Sequence, residues 1–147
     1  MADAFDAGNM KQFAIAWYNG LDIHAPAADL HPFLADDGLS MAFPERTLRS
    51  LDDFDDWLAG IYRTFFDENH NVHTVEQTGR TDTTADLDVI VAWQASWFTP
   101  PDAKSKRTAM NAIQRWTVRA SDKNAWGLEI AFYAVDRFDY APGWSIL

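Results

Sequence analysis

The chain has 147 residues, 48% apolar and 14% aromatic, with seven tryptophans and ten phenylalanines; this is the size of one domain and enough apolar surface for a self-sufficient core. A formal net charge of −10 weighs against nucleic acid and anionic membranes as partners, because both present negative charge of their own. With no cysteine in the sequence, disulfides, zinc–thiolate sites and cysteine nucleophiles are excluded.

The opening stretch, Met1 to Gly8, lacks the basic start and apolar core of a signal peptide. No apolar run reaches membrane-spanning length, so a cytoplasmic location is the expectation. Met10, Phe13, Ala14, Trp17 and Leu21 recur at helical spacing and predict a first helix from about Asn9 to Leu21. Pro26 breaks the chain, and Ala27 to Leu34 suits a short second helix. Asp36, Asp37 and Gly38 read as a turn, and Leu39 to Phe43 as a short strand. Ser50 is a good N-cap with Asp53 three residues on, opening a third helix that carries Leu51, Phe54, Leu58, Ile61, Tyr62 and Phe65. The acidic run from Asp52 to Asp56 suits a helix N-terminus. That helix is expected to end near Phe66, before the polar stretch Asp67 to Asn71.

The hydrophobic period then changes from helical to alternating. Val72 to Thr81 predicts a strand, and Asp82 to Thr84 a turn. Leu87, Val89, Val91, Trp93, Ala95 and Trp97 share one face of the next strand. Pro100 and Pro101 end it. Met110, Ala112, Gln114, Trp116 and Val118 share a face of a strand from about Arg107 to Arg119. In a last strand, Trp126 to about Phe138, alternation groups Leu128, Ile130, Phe132, Ala134 and Asp136. Short turns between long strands make antiparallel neighbours, and helices ahead of such a sheet give an α+β fold. No internal repeat or domain boundary is visible, so residues 1–147 are expected to form one domain with its core over about 9–140.

Several segments carry a likeness to a known family: the opening helix with its acidic turn, "FAIAWYNGLDIHAPAADLHPFLADDG"; "ENHNVHTVEQ" entering the sheet; and the closing strands "NAIQRWTVRA" and "LEIAFYAVDRF". Over roughly Lys11 to Phe138 the chain resembles the nuclear transport factor 2-like superfamily, in particular its SnoaL-like, polyketide-cyclase branch. The resemblance implies a cystatin-like cone: about three N-terminal helices on a strongly curved mixed or antiparallel sheet, with a pocket at the open end. It also implies a homodimer formed through the sheet's convex face. Family members include ketosteroid isomerases, scytalone dehydratase, limonene epoxide hydrolase and ring-hydroxylating dioxygenase small subunits, as well as scaffold domains without catalysis.

Carried over residue by residue, the isomerase tyrosine falls near Phe13, its base around Met41 to Phe43, and its acid near Gln114, so those three roles are lost. The epoxide hydrolase arrangement finds Asp88, Arg115 and Asp136, but alternation places Arg115 and Asp136 on opposite faces. In the SnoaL-like cyclases and scytalone dehydratase a histidine and an aspartate act as acid and base, and His73 and Asp136 are the candidates for these roles. Asp136 interrupts an apolar face, as does Gln114, and a buried polar group needs a partner. Trp17, Trp93, Gln114, Trp116 and Phe132 are the candidate ligand-binding residues, lining a cavity for an apolar small molecule. His70 and His73 are spaced to point to opposite faces of a strand, which argues against a metal pair. Serine-nucleophile motifs, phosphate-binding glycine loops and dinucleotide fingerprints are absent, so no cofactor is expected. The expected function is a small-molecule pocket protein, acting as a cofactor-free isomerase, cyclase or dehydratase by proton transfer. The alternative is a non-catalytic dimeric ligand-binding or scaffold domain.

Overall fold

The computed structural model describes residues 3–147. Helix α1 (Ala7–Asp22) starts where the Asp6 carboxylate accepts the Asn9 N–H, and buries Met10, Phe13, Ala14, Trp17, Tyr18 and Leu21. The second helix splits into α2 (Ala27–Leu30) and a 3-10 turn, His31–Phe33. A short hairpin of β1 (Ser40–Ala42) and β2 (Thr47–Leu48) leads to α3 (Leu51–Thr64). The expected cap is in place: the Ser50 hydroxyl accepts the Asp53 N–H at 3.1 Å, while the Asp53 carboxylate accepts the Arg49 N–H at 2.9 Å. Four long strands complete the chain: β3 (Phe65–Arg80), β4 (Thr84–Trp97), β5 (Lys106–Ala120) and β6 (Leu128–Tyr140).

Helix α3 passes into β3 with no loop, so the polar stretch after Phe66 is strand. Hydrogen bonding to β4 fixes it there, since Asn69, His70 and Asn71 pair with Gln94, Trp93 and Ala92. Pairing across a ladder outweighs the weak strand preference of asparagine and aspartate.

The six strands form one mixed sheet in the order β2-β1-β6-β5-β4-β3, in which β1 runs parallel to β6. The α+β class and the mixed sheet therefore stand, but the strongly curved cone does not. The sheet is open, and its terminal strands β2 and β3 do not pair. Strand length alone does not curl a sheet. One edge here is built of strands of three and two residues, too short to wrap over, and the inner face is already occupied by α1 against β3 and α3 against β2.

The core lies between helices and sheet. Trp17 packs against Phe33 and Phe54, and Phe13 against Phe33 and Trp126. Full burial of each such side chain contributes about 1.5–3 kcal/mol. At the turn after β5, Glu129 accepts from Arg119 at 2.7 Å and from Lys123 at 3.2 Å. Burial would raise its carboxyl pKa, but hydrogen bonds from Arg119, Lys123 and Ser121 outweigh this and hold it below the usual value. No helix among the described residues is long and apolar enough to cross a membrane.

Candidate functional site

A cavity of about 300 Å³ opens between the C-terminal halves of α1 and α3 and the inner face of β3 to β6. Its walls are mostly apolar and rich in aromatic rings. Phe43 stacks on Trp57 with ring centres 4.3 Å apart, and Phe65 meets Trp93 edge-on at 5.1 Å. Glu45 stands at the rim, and three polar groups break the lining within.

The first is a dyad. Asp22 is the last residue of α1, and the helix lies against β3, which carries His70. The Asp22 Oδ1 lies 2.5 Å from His70 Nδ1, and Oδ2 accepts the His70 backbone N–H at 3.0 Å. A carboxylate can only accept, so Nδ1 holds a proton, and in the neutral ring Nε2 offers a lone pair. The imidazole is stacked between Tyr18 (4.7 Å) and Trp93 (5.8 Å). His70 lines the cavity, and its side chain is only 10% exposed.

The second is a buried phenol–amide cluster on the cavity floor. Tyr18 and Tyr133 place their hydroxyls 3.0 Å apart. Gln114 Nε2 donates to the Tyr18 hydroxyl at 2.9 Å, and Trp116 Nε1 donates to Gln114 Oε1 at 3.3 Å. Burial, reinforced by the neighbouring Tyr133, pushes the Tyr18 phenol well above its ordinary pKa, and burial raises Tyr133 likewise. Both phenols therefore stay protonated, as hydrogen-bond donors, across the physiological range.

The third is Glu68. Its side chain is 3% exposed; Oε2 lies 2.7 Å from His24 Nε2, and Oε1 accepts the Trp93 indole N–H at 3.2 Å. The His24 ring stacks on Tyr62 at 4.1 Å. Burial, then the nearby Glu68 charge, pushes the Tyr62 phenol up to about 12.

Of the residues singled out from sequence, Trp93 and Gln114 line the cavity. Trp17 and Trp116 are buried in the core behind it. Phe132 faces the other side of the sheet, under the Arg115 guanidinium at 5.8 Å. His73 and Asp136 do not meet. His73 is exposed, and it is the unpaired extra residue between the Val72–Val91 and Thr74–Ile90 pairs. Asp136 is likewise the extra residue between the Gln114–Val135 and Ile113–Arg137 pairs. A bulge inserts one residue and reverses the alternation beyond it. A second bulge in β6, at Ala131, turns Phe132 outward and Tyr133 inward.

The same bulges overturn the expectation that Arg115 and Asp136 face opposite ways. Arg115 binds Asp136 through two nitrogens, each at 2.9 Å, and Asp88 pairs with Arg115 across the ladder. This Asp-Arg-Asp group lies on the exposed face of the sheet, away from the cavity, and the ion pair holds the Asp136 carboxyl below its usual pKa. Sequence reasoning missed Asp22, Tyr18 and Tyr133, and it weighed His70 and Glu68 only beside His73, for a metal site that it set aside. Two extra residues between the Asp82–Thr84 turn and His70, at Thr78 and at His73, set the register that pairs His70 with the inward-facing Trp93.

No protein family model matches the chain, and no curated protein matches it. Solved structures do. A candidate aromatic ring hydroxylase from Novosphingobium aromaticivorans aligns with a TM-score of 0.78 at 13% identity, over 99% of this chain and 95% of that one. The β subunit of benzoate 1,2-dioxygenase from Burkholderia mallei gives 0.70 at 11% identity, over 92% and 91%. A candidate scytalone dehydratase, also from Novosphingobium aromaticivorans, gives 0.68 at 14% identity, over 93% of each chain. At these identities the likeness shows the fold alone, and it agrees with the resemblance to the nuclear transport factor 2-like superfamily read from the sequence. Its structural relatives include proteins that act on small molecules.

Proposed function

We propose that this chain is a small-molecule pocket enzyme that moves a proton on an apolar, ring-bearing ligand without a cofactor, in an isomerisation, cyclisation or dehydration. The observation that carries this reading is the contact between Asp22 and His70. Both carboxylate oxygens are committed to one histidine, and that histidine lines an aromatic cavity. His70 Nε2 is the base that takes a proton from ligand carbon, and Asp22 fixes the ring and stabilises the imidazolium that forms. The hydrogen-bonded Tyr18–Tyr133 pair has one phenol proton left over, and it donates to the ligand oxygen on which negative charge develops. The aromatic walls exclude water from the exchange. His73 and Asp136 have no part in it.

The test is solvent exchange of the C1 protons of 2-tetralone in D₂O, followed by NMR. The wild-type protein should accelerate exchange, and His70→Gln should return it to the background rate while keeping its thermal transition. Equal exchange by both proteins would sink the assignment.

A second reading draws on the fold shared with a dioxygenase β subunit. In it the chain is a non-catalytic ligand-binding or scaffold domain that pairs with a second copy through the exposed face of the sheet. Saturable binding of 2-tetralone with no exchange, in a protein whose stability rises with its own concentration, would favour it.

A further inference from the structure

Two glutamate side chains are largely withdrawn from solvent, Glu129 at 10% exposure and Glu68 at 3%. Glu129 lies between two fixed cations, Arg119 and Lys123. Glu68 lies on the cavity wall, and among the described residues it has no lysine or arginine within ion-pair distance. Its partners are an indole N–H and an imidazole that is charged only when protonated. A buried carboxylate without a fixed counter-ion is costly to the fold, and a bound cation would offset that cost.

The rest of the cavity points the same way. Among the described residues no lysine or arginine lines it, whereas Glu45 stands at its rim, held by the Trp57 indole N–H at 3.1 Å. The walls present Phe43, Trp57, Tyr62, Phe65 and Trp93, and aromatic faces attract cations. The chain carries a net charge of −10, a field that concentrates cations at its surface and repels anions. Two of the four lone-pair positions of Glu68 are engaged, by His24 and Trp93, which leaves the carboxylate able to accept from a ligand.

We infer that the cavity takes a ligand carrying a protonated amine on an apolar ring system, with Glu68 as the counter-charge, and rejects organic acids of the same shape. This rests on the small-molecule reading of the cavity and names the class of molecule that reading left open. The ring fills the space between Trp57 and Trp93, the ammonium meets Glu68, and any carbonyl or hydroxyl oxygen reaches Tyr18 and Tyr133.

Three ligands of one shape test it: 2-aminotetralin, 2-tetralone and 1,2,3,4-tetrahydro-2-naphthoate, each titrated into the wild-type protein by calorimetry. The amine should bind at least tenfold more tightly than the acid, with the ketone between them. Glu68→Gln, which keeps the shape and can still bond His24 and Trp93, should collapse the amine's advantage over the ketone. An acid that binds as well as the amine overturns the inference even if the variant does not fold, and so does a folded variant that keeps the amine preference. If the ketone binds and only the amine preference is missing, the pocket reading stands and this inference falls. If none of the three binds, both fall.

Discussion

Asp22 holds His70 at two points, the ring through Nδ1 at 2.5 Å and the backbone through its N–H at 3.0 Å. One carboxylate at the end of α1 thus fixes both the tautomer of the imidazole and the position of the strand that carries it.

Asp22→Asn should preserve the fold and disable the base. An amide has one accepting oxygen for two N–H donors. If that oxygen stays with the backbone, the amide NH₂ faces Nδ1 and drives the proton to Nε2, where the lone pair is needed. The rate of 2-tetralone exchange should fall by roughly a hundredfold or more, the usual worth of a positioned base. The Kd for the ketone should change little. An unchanged rate would mean that the dyad only holds α1 to the sheet.

Tryptophans on either side of the cavity boundary should respond differently. Trp17 is 1% exposed and packed against Phe33 and Phe54, so Trp17→Ala should cost about 3–5 kcal/mol of stability in denaturant titrations. Trp93 lines the cavity and stacks on His70. Trp93→Ala should therefore cost less stability and should weaken 2-tetralone binding, read by calorimetry. Equal stability losses with unchanged binding would show that Trp93 belongs to the core.

Stability should decline at both ends of the pH scale, for reasons of opposite sign. Tyr62, raised from 10.0 to about 12, keeps its proton in the fold after the unfolded chain has lost it. Its contribution is fully present below pH 10 and is lost as pH rises from 10 toward 12, with Tyr18 and Tyr133 extending the loss further. Glu129 is lowered from 4.5, so its contribution is present above that value and is lost as pH falls through the lower folded one. Thermal melts against pH should show both limbs. Tyr62→Phe should flatten the alkaline limb, at about 1 kcal/mol for its lost hydrogen bond. Glu129→Gln should flatten the acid limb. A variant that leaves its limb unchanged would show that the shift has another source.

Much of the fold is legible in the sequence because periodicity survives burial. The stripe of Met10, Phe13, Trp17 and Leu21 marks α1, and alternation from Leu87 to Trp93 marks the inner face of β4. The site is less legible, and His73 and Asp136 show why. Each is the extra residue of a bulge. Parity counted along one strand cannot register an insertion whose only sign is the pairing of a second strand. Inner and outer faces therefore exchange in the stretches that hold His70 and Tyr133. Asp22 was hidden differently: it lies beyond the last apolar residue of its helix, and only the packing of α1 on β3 brings it to His70. The expected cone failed for want of strand length at one edge, which the family pattern did not reveal.

The most direct test of His70 as the cavity base is the Kemp elimination of 5-nitrobenzisoxazole, a reaction that needs one base in an apolar site and little else. Wild-type protein should accelerate it. His73→Gln should match wild type, and His70→Gln should lose roughly a hundredfold or more of the rate. If His70→Gln keeps the wild-type rate, or if His73→Gln loses it, His70 is not the base.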